Sequence, residues 1–204
     1  TTRLTFLLDL LLPMQVPVML VGAAGTAKTT VLADKLRNLP DNMLSYTINF
    51  NSFSDASSLQ AILEQPLEKK SGMTFGPPGQ KRLVYFVDDF NMPTPDKYGT
   101  QSSSALLRQQ VDYGGFYDLK KLSMKQLVQI QYLGAMNPTA GSFYVIDRLQ
   151  RHFATFACLF PEQEVLASIY GSIIAGHLGT FLPEVSALAE VVTNATVALH
   201  NEVT

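Results

Sequence analysis

Pro17 to Thr30 reads PVMLVGAAGTAKTT, a short apolar strand that runs into a glycine-bearing turn and closes on Lys28, Thr29 and Thr30. The spacing is that of a phosphate-binding loop: glycine, four residues, glycine, lysine, then serine or threonine. Gly22, Lys28 and Thr29 fit, and Ala27 stands where the second glycine is required. Such a turn aims successive backbone N–H groups inward and feeds a helix N-terminus, so an anion meets unpaired donors and the positive dipole end together. Gly22, Ala23, Ala24, Gly25, Thr26, Ala27, Lys28, Thr29 and Thr30 are therefore the expected cradle of a polyphosphate. Lys28 would neutralise the β- and γ-phosphates, and the Thr29 hydroxyl would ligate the Mg²⁺ that bridges them.

The rest of the composition narrows what such a loop can belong to. At 204 residues the chain holds one full α/β domain and a small appendage. A hydrophobic content of 47% with 16% charge suits a packed interior, and a net charge of −2 offers no basic footprint, so no nucleic-acid partner is expected. The single cysteine, Cys158, precludes an internal disulfide framework and fits a reducing, cytoplasmic setting. The apolar run from Leu4 to Leu20 is interrupted by Asp9, Pro13, Gln15 and Pro17, too broken to span a bilayer, so no membrane association is expected either. No signal peptide is visible. The absence of an initiator methionine suggests a piece of something longer.

Working outward from the loop, Thr1 to Leu12 reads as an entry helix ending before Pro13, and Val18 to Val21 as the first buried strand. A helix follows from about Lys28 to Leu39, closed by Pro40, then a strand over Ser45 to Phe50. Ser54 or Asp55 caps a helix through Leu59, Ile62 and Leu63, after which Lys69 and Lys70 read as a solvated face. The GPPG run, Gly76 to Gly79, lacks the lysine-hydroxyl ending of a phosphate loop and is a turn. Leu83 to Val87 is a continuous apolar run ending on Asp88 and Asp89, the pattern of a central parallel strand that delivers carboxylates at its C-terminal edge. Ser102 to Asp112 reads as a helix, Tyr113 to Lys121 as a hairpin or insertion, Val128 to Met136 as a fourth strand and Ala154 to Phe160 as a fifth. Pro161 opens a helix through Leu178, and a second helix runs from about Glu184 to His200. Alternating strands and helices predict a three-layer α-β-α fold on a parallel sheet, over residues 1–160, with the start of a helical subdomain over 161–204.

Phosphoryl transfer needs positioning and charge neutralisation, so a phosphate loop is half a site. Asp88 ends the central strand where a carboxylate holds the metal, and Asp89 follows where a residue would orient or deprotonate the attacking water. Aspartate at that position reaches about one methylene less far than glutamate. Asn137, at the end of the fourth strand, is either a polar contact to the γ-phosphate or an Asn-Pro turn. Arg148 and Arg151 in DRLQRHF precede the fifth strand; Arg151 is either an arginine given to a neighbour's nucleotide or a surface ion pair. His152 reads equally well as structural.

Taken in order, GAAGTAKT, LVYFVDDFNMP, a strand ending in MNP and then RLQRHF resemble an AAA+ ATPase module. The stretches PLEKKSGMTFGPPGQKRLVYFVDDFNMPTPDKYGTQ, LLRQQVDYGGFYD and GAMNPTAGSFYVIDRLQRHFATFACLFPEQE narrow the resemblance to dynein heavy chains of axonemal type, and are most similar to the third AAA+ module. The resemblance covers nearly the whole chain. It implies ATP or ADP and Mg²⁺ as ligands, with Lys28 and Thr29 on phosphate and metal, Asp88 on metal, Asn137 as the first sensor and Arg151 as the arginine finger. It also implies neighbouring AAA+ modules of the same chain in a six-module ring, other dynein chains, microtubules reached through other parts of the parent, and a cytoskeletal place in a cilium or flagellum. Ala27 for glycine and Asp89 for glutamate depart from the family pattern, and the second sensor arginine of the lid is missing. Three alternatives stand beside a hydrolysing module: a nucleotide switch with little turnover, a module of another AAA+ remodelling machine, and a structural spacer.

Overall fold

The computed structural model describes residues 2–119, 121–139 and 143–203, except the side chain of residue 201. Thr1, the expected start of the entry helix, and Lys120, inside the expected 113–121 hairpin, lie outside them. The chain divides into two compact units, Thr1–Leu159 and Phe160–Thr204.

The first unit opens with α1 (Thr2–Leu11), β1 (Val18–Val21), α2 (Lys28–Arg37), β2 (Met43–Asn49) and α3 (Ala56–Glu64). It continues through β3 (Glu68–Ser71), β4 (Thr74–Gly76), β5 (Arg82–Asp88), α4 (Ser102–Tyr113), β6 (Gly115–Tyr117), β7 (Met124–Leu127), β8 (Ile130–Met136), α5 (Asp147–Gln150) and β9 (Ala154–Ala157). The main sheet is parallel throughout, in the order β2-β5-β8-β1-β9. β5 lies between β2 and β8, as the apolar run requires, with Leu83 to Val87 all buried.

Successive side chains of a strand point to opposite faces, and the sheet uses both. Met19, Leu83, Tyr85, Val87 and Tyr132 pack on Leu59 and Leu63 of α3 and Leu106 and Leu107 of α4. Val18, Leu20, Val84, Phe86, Leu133 and Ala135 pack on Leu8 of α1 and Val31 and Leu32 of α2. Each fully buried Val, Leu, Phe or Met among them contributes roughly 1.5–3 kcal/mol. The result is the expected three-layer arrangement. Asp55 is the residue that caps α3, its Oδ1 accepting from Ser58 N at 2.8 Å.

The structure departs from the sequence expectations at several places. A second, four-stranded sheet, β3-β4-β7-β6, was not foreseen. Lys69 and Lys70 lie in its exposed strand β3, and Gly76 to Gly79 leaves β4 as a turn with Gly79 at φ 63°. The hairpin of β6 and β7 reaches Leu127, because Met124–Leu127 pairs with β6 and β4. Gln129, at φ 61°, then breaks the chain, so the fourth main-sheet strand starts at Ile130. Lys125 fastens this sheet to α3 through Glu64 at 2.8 Å, and pairs within its own hairpin with Asp118 at 2.6 Å. The fifth main-sheet strand stops at Ala157 rather than Phe160.

The second unit contains α6 (Gln163–Leu178), α7 (Pro183–Ser186) and α8 (Ala189–Val203). The helix foreseen over Glu184 to His200 is thus two helices, and α6 begins two residues after Pro161. Gly171 of α6 meets Thr193 of α8, which is buried and returns its hydroxyl to Ala189 O at 2.7 Å. Phe160 stacks on His200 at 5.9 Å between ring centroids.

Candidate functional site

The C-terminal edges of β1, β5 and β8 open on one side of the sheet, where an open parallel sheet presents ligands. The turn leaving β1 is drawn close to its neighbours: Gly22 N donates to Met136 O at 3.2 Å, and Cys158 N donates to Val21 O at 2.7 Å. A Cβ on Gly22 would come within 2.2 Å of the Cys158 carbonyl oxygen, so only glycine passes there. Gly25 turns the loop at φ 81°. Ala27 also adopts the left-handed region, φ 62° and ψ 21°, at the position where the motif asks for glycine, and it sits at the N-cap of α2 without a side-chain cap.

Two loop side chains and one backbone carbonyl are tied together. Thr26 Oγ1 donates to Ala23 O at 2.9 Å, and the buried Lys28 ammonium donates to Ala23 O at 2.6 Å and to Thr26 Oγ1 at 3.2 Å. Thr29 points across to β5, its hydroxyl donating to Asp88 Oδ2 at 3.1 Å and approaching Oδ1 at 3.3 Å. A hydroxyl and a carboxylate so close are hard oxygen donors of the kind Mg²⁺ takes beside phosphate oxygens, so this pair fits that ion. Among the described residues there is no separate cluster of three or more His, Cys, Asp or Glu able to hold a metal.

Asp89 starts the turn after β5 in the left-handed region at φ 52°, its N–H donating to Asp88 Oδ1 at 3.1 Å. Burial of its carboxyl raises its pKa above 3.8; the charge of Asp88 adds to the rise and that of Lys28 opposes it. The residue as a whole stays exposed, so solvent screens the shift. Asn137 follows β8 half-buried, and its Oδ1 accepts from Thr139 N at 3.1 Å and Thr139 Oγ1 at 3.0 Å. The Asn-Pro turn and the polar end of the strand are therefore one feature. Around them lies an open cavity of about 410 Å³ lined by Ala24, Gly25, Ala27, Lys28, Thr29, Thr30, Asp88, Asp89, Met136 and Asn137.

Arg151 is not among the lining residues. It follows α5, 65% exposed at its side chain, with Nη2 donating to Asp112 Oδ1 at 3.2 Å. His152 Nε2 lies 2.7 Å from the same oxygen. Burial opposes it, but hydrogen bonds from Arg151 and His152 bring the Asp112 pKa below 3.8. Arg148 is exposed.

The expected residues therefore fall into two places: a cavity holding Lys28, Thr29, Asp88, Asp89 and Asn137, and a separate ion-pair cluster at Arg151. Sequence reasoning missed Asn91 and Asp112. Asn91, 4% exposed, donates from Nδ2 to Asn137 O at 2.9 Å, and its backbone carbonyl accepts from Phe143 N at 2.9 Å. Its nearness to the acid pair in the chain was its only signal. Asp112, 39 residues from Arg151, had none.

The family model of the P-loop containing dynein motor region matches residues 1–161. The chain belongs to that dynein family. Over its full length this dynein-family chain is 51% identical to the "Dynein beta chain, flagellar outer arm" of Chlamydomonas reinhardtii. It is 47% identical, again over its full length, to the "Dynein beta chain, ciliary" of Tripneustes gratilla, and 46% identical to "Dynein axonemal heavy chain 17" of Homo sapiens. It spans only 4% of the first of these relatives and 5% of the other two. The resemblance to axonemal dynein heavy chains carried by the sequence motifs is thus borne out, and P-loop membership makes this a nucleotide-binding fold. No helix among the described residues is long and apolar enough to cross a membrane.

Proposed function

We propose that the first unit is the third of six AAA+ modules in an axonemal dynein heavy chain, a microtubule motor ATPase, and that it binds ATP or ADP with Mg²⁺. The observation that carries the nucleotide-binding reading is the cavity in which Lys28, Thr29, Asp88, Asp89 and Asn137 converge; the dynein reading draws on the family match and the relatives, and the third-module reading on the sequence motifs. In this reading residues 22–30 wrap the phosphates, Lys28 neutralises the β- and γ-oxygens, and Thr29 and Asp88 hold the metal. Bound Mg²⁺ would offset the charge that gathers on the phosphate oxygens. Asp89 orients or deprotonates water, Asn137 contacts the γ-phosphate, and Arg151 serves the nucleotide of the adjacent module. Residues 161–204 begin the helical lid. The names of the relatives support a place in the cytoskeleton of a cilium or flagellum, with other dynein chains and microtubules as partners of the parent, and they favour dynein over another AAA+ machine.

A second reading, a switch that holds nucleotide with slow turnover, draws on Asp89. Its short carboxylate starts from a left-handed, exposed backbone position, and a general base must come within about 3 Å of its water or act through one more. The test of nucleotide binding is Lys28→Ala in an intact heavy chain, with occupancy of this module read by nucleotide titration. Loss of the loop's point charge is expected to abolish ATP binding there. Retained affinity would overturn the phosphate-loop assignment.

A further inference from the structure

We infer that Asp112 is a positioning residue for Arg151, fixing where its guanidinium stands for the neighbouring module; this rests on the trans-acting reading of Arg151 given above. Three cationic or protonatable groups converge on the Asp112 carboxylate. Arg151 Nη2 lies 3.2 Å from Oδ1, His152 Nε2 lies 2.7 Å from Oδ1, and Arg108 Nε lies 3.9 Å from Oδ2. The carboxylate side chain is 19% exposed and comes from the last turn of α4, a helix anchored in the core through Leu106 and Leu107. Its position is therefore set by the fold.

Arg151 Nε also lies 3.3 Å from His152 Nε2. One imidazole nitrogen cannot donate to a carboxylate and accept from a guanidinium at once, since it carries either a proton or a lone pair. The shorter approach, to a charged acceptor, decides for donation to Asp112. The guanidinium is then held through Asp112 alone among the described residues, while Nη1 has no partner among them. A long, mostly exposed side chain is thus tethered at one nitrogen and keeps another for a phosphate oxygen.

The backbone beneath it is fixed from two sides. His152 reaches Asp112, and Phe153, buried in the core, packs edge-on against Phe90 at 5.4 Å and 74°. Phe90 in turn follows Asp89 directly. Asp112 completes this support by acting on the one part of the turn that the core does not reach.

The test uses an intact heavy chain in which ATP turnover is confined to the module facing Arg151. Asp112→Asn keeps the side chain's shape and removes the charge. It is expected to lower kcat at the neighbouring site roughly tenfold, as misplacement of a reacting or stabilising group does, with KM and nucleotide binding in this module unchanged. Asp112→Glu is expected to restore part of that loss. In an Arg151→Ala background Asp112→Asn is expected to have no further effect, because the group it positions is already gone. An equal loss in both backgrounds would mean general damage and overturn the inference. So would a rise in kcat, which would make the ion pair a parking place. If Arg151→Ala lowers the neighbour's turnover and Asp112→Asn does not, this inference alone falls. If Arg151→Ala has no effect, the trans-acting reading falls with it.

Discussion

The Thr29 hydroxyl donates to the Asp88 carboxylate at 3.1 Å, joining the first turn of α2 to the end of β5 across 59 residues of chain. Thr29 and Asp88 would hold a bound Mg²⁺, directly or through a water, in place of that hydrogen bond. Asp88→Asn is therefore expected to weaken binding of ATP in the presence of Mg²⁺ about tenfold or more, and to change metal-free ADP binding little. Paired titrations with and without Mg²⁺ read the difference. Equal losses in both would assign Asp88 to the fold of the loop rather than to the metal.

Ala27 holds a left-handed backbone conformation that costs an L-residue with a Cβ about 1–2 kcal/mol. Glycine there would relieve that strain but would enter folding with a more disordered unfolded chain, at an opposing cost of about 0.5–1 kcal/mol. Ala27→Gly is expected to stabilise the loop and the start of α2 by up to about 1 kcal/mol, roughly a fivefold slowing of amide exchange in that turn when exchange follows local opening. Hydrogen exchange of residues 28–32 in the intact protein is the measurement. Faster exchange would show that the alanine is accommodated without strain.

Asp89 must be ionised to accept a proton, and its raised pKa moves that requirement upward. Phosphate release in a single turnover is expected to fall as pH drops through a value above 3.8, and this acid limb should vanish in Asp89→Asn along with most of the turnover. The stability sign runs with it. Between the unfolded value and the higher folded one, the native state binds the proton more tightly, so ionising Asp89 costs native stability as pH rises through that window. Asp89→Glu is expected to raise turnover at neutral pH about tenfold, the equivalent of ~1.4 kcal/mol of barrier. A glutamate variant no faster than the parent would mean that Asp89 already reaches its water.

Much of this was legible in the chain itself. The loop spacing marked Gly22 and Lys28 to Thr30, and the apolar run into Asp88 and Asp89 required a central strand, because only a strand covered on both faces is apolar at every position from Leu83 to Val87. Helices α1 to α4 fell within a few residues of expectation, since Pro13, Asp55 and Pro40 act through local backbone geometry, whereas the four-residue α5 was not expected. Of the second sheet only the hairpin that contains β6 was legible, from its turn residues. β3 is exposed at every position, so it carries no apolar period, and only pairing in space makes it a strand. Register decided the rest: Met124–Leu127 joined β6 and β4 because Gln129 turned the chain, which nothing in a polar residue's identity announces. The sequence by itself determined which chemical groups a phosphate and a metal could use. Tertiary structure alone decided that Asn91 holds Asn137 and that Asp112 holds Arg151, because those hydrogen bonds join residues 46 and 39 positions apart, a distance in the chain at which only packing selects partners.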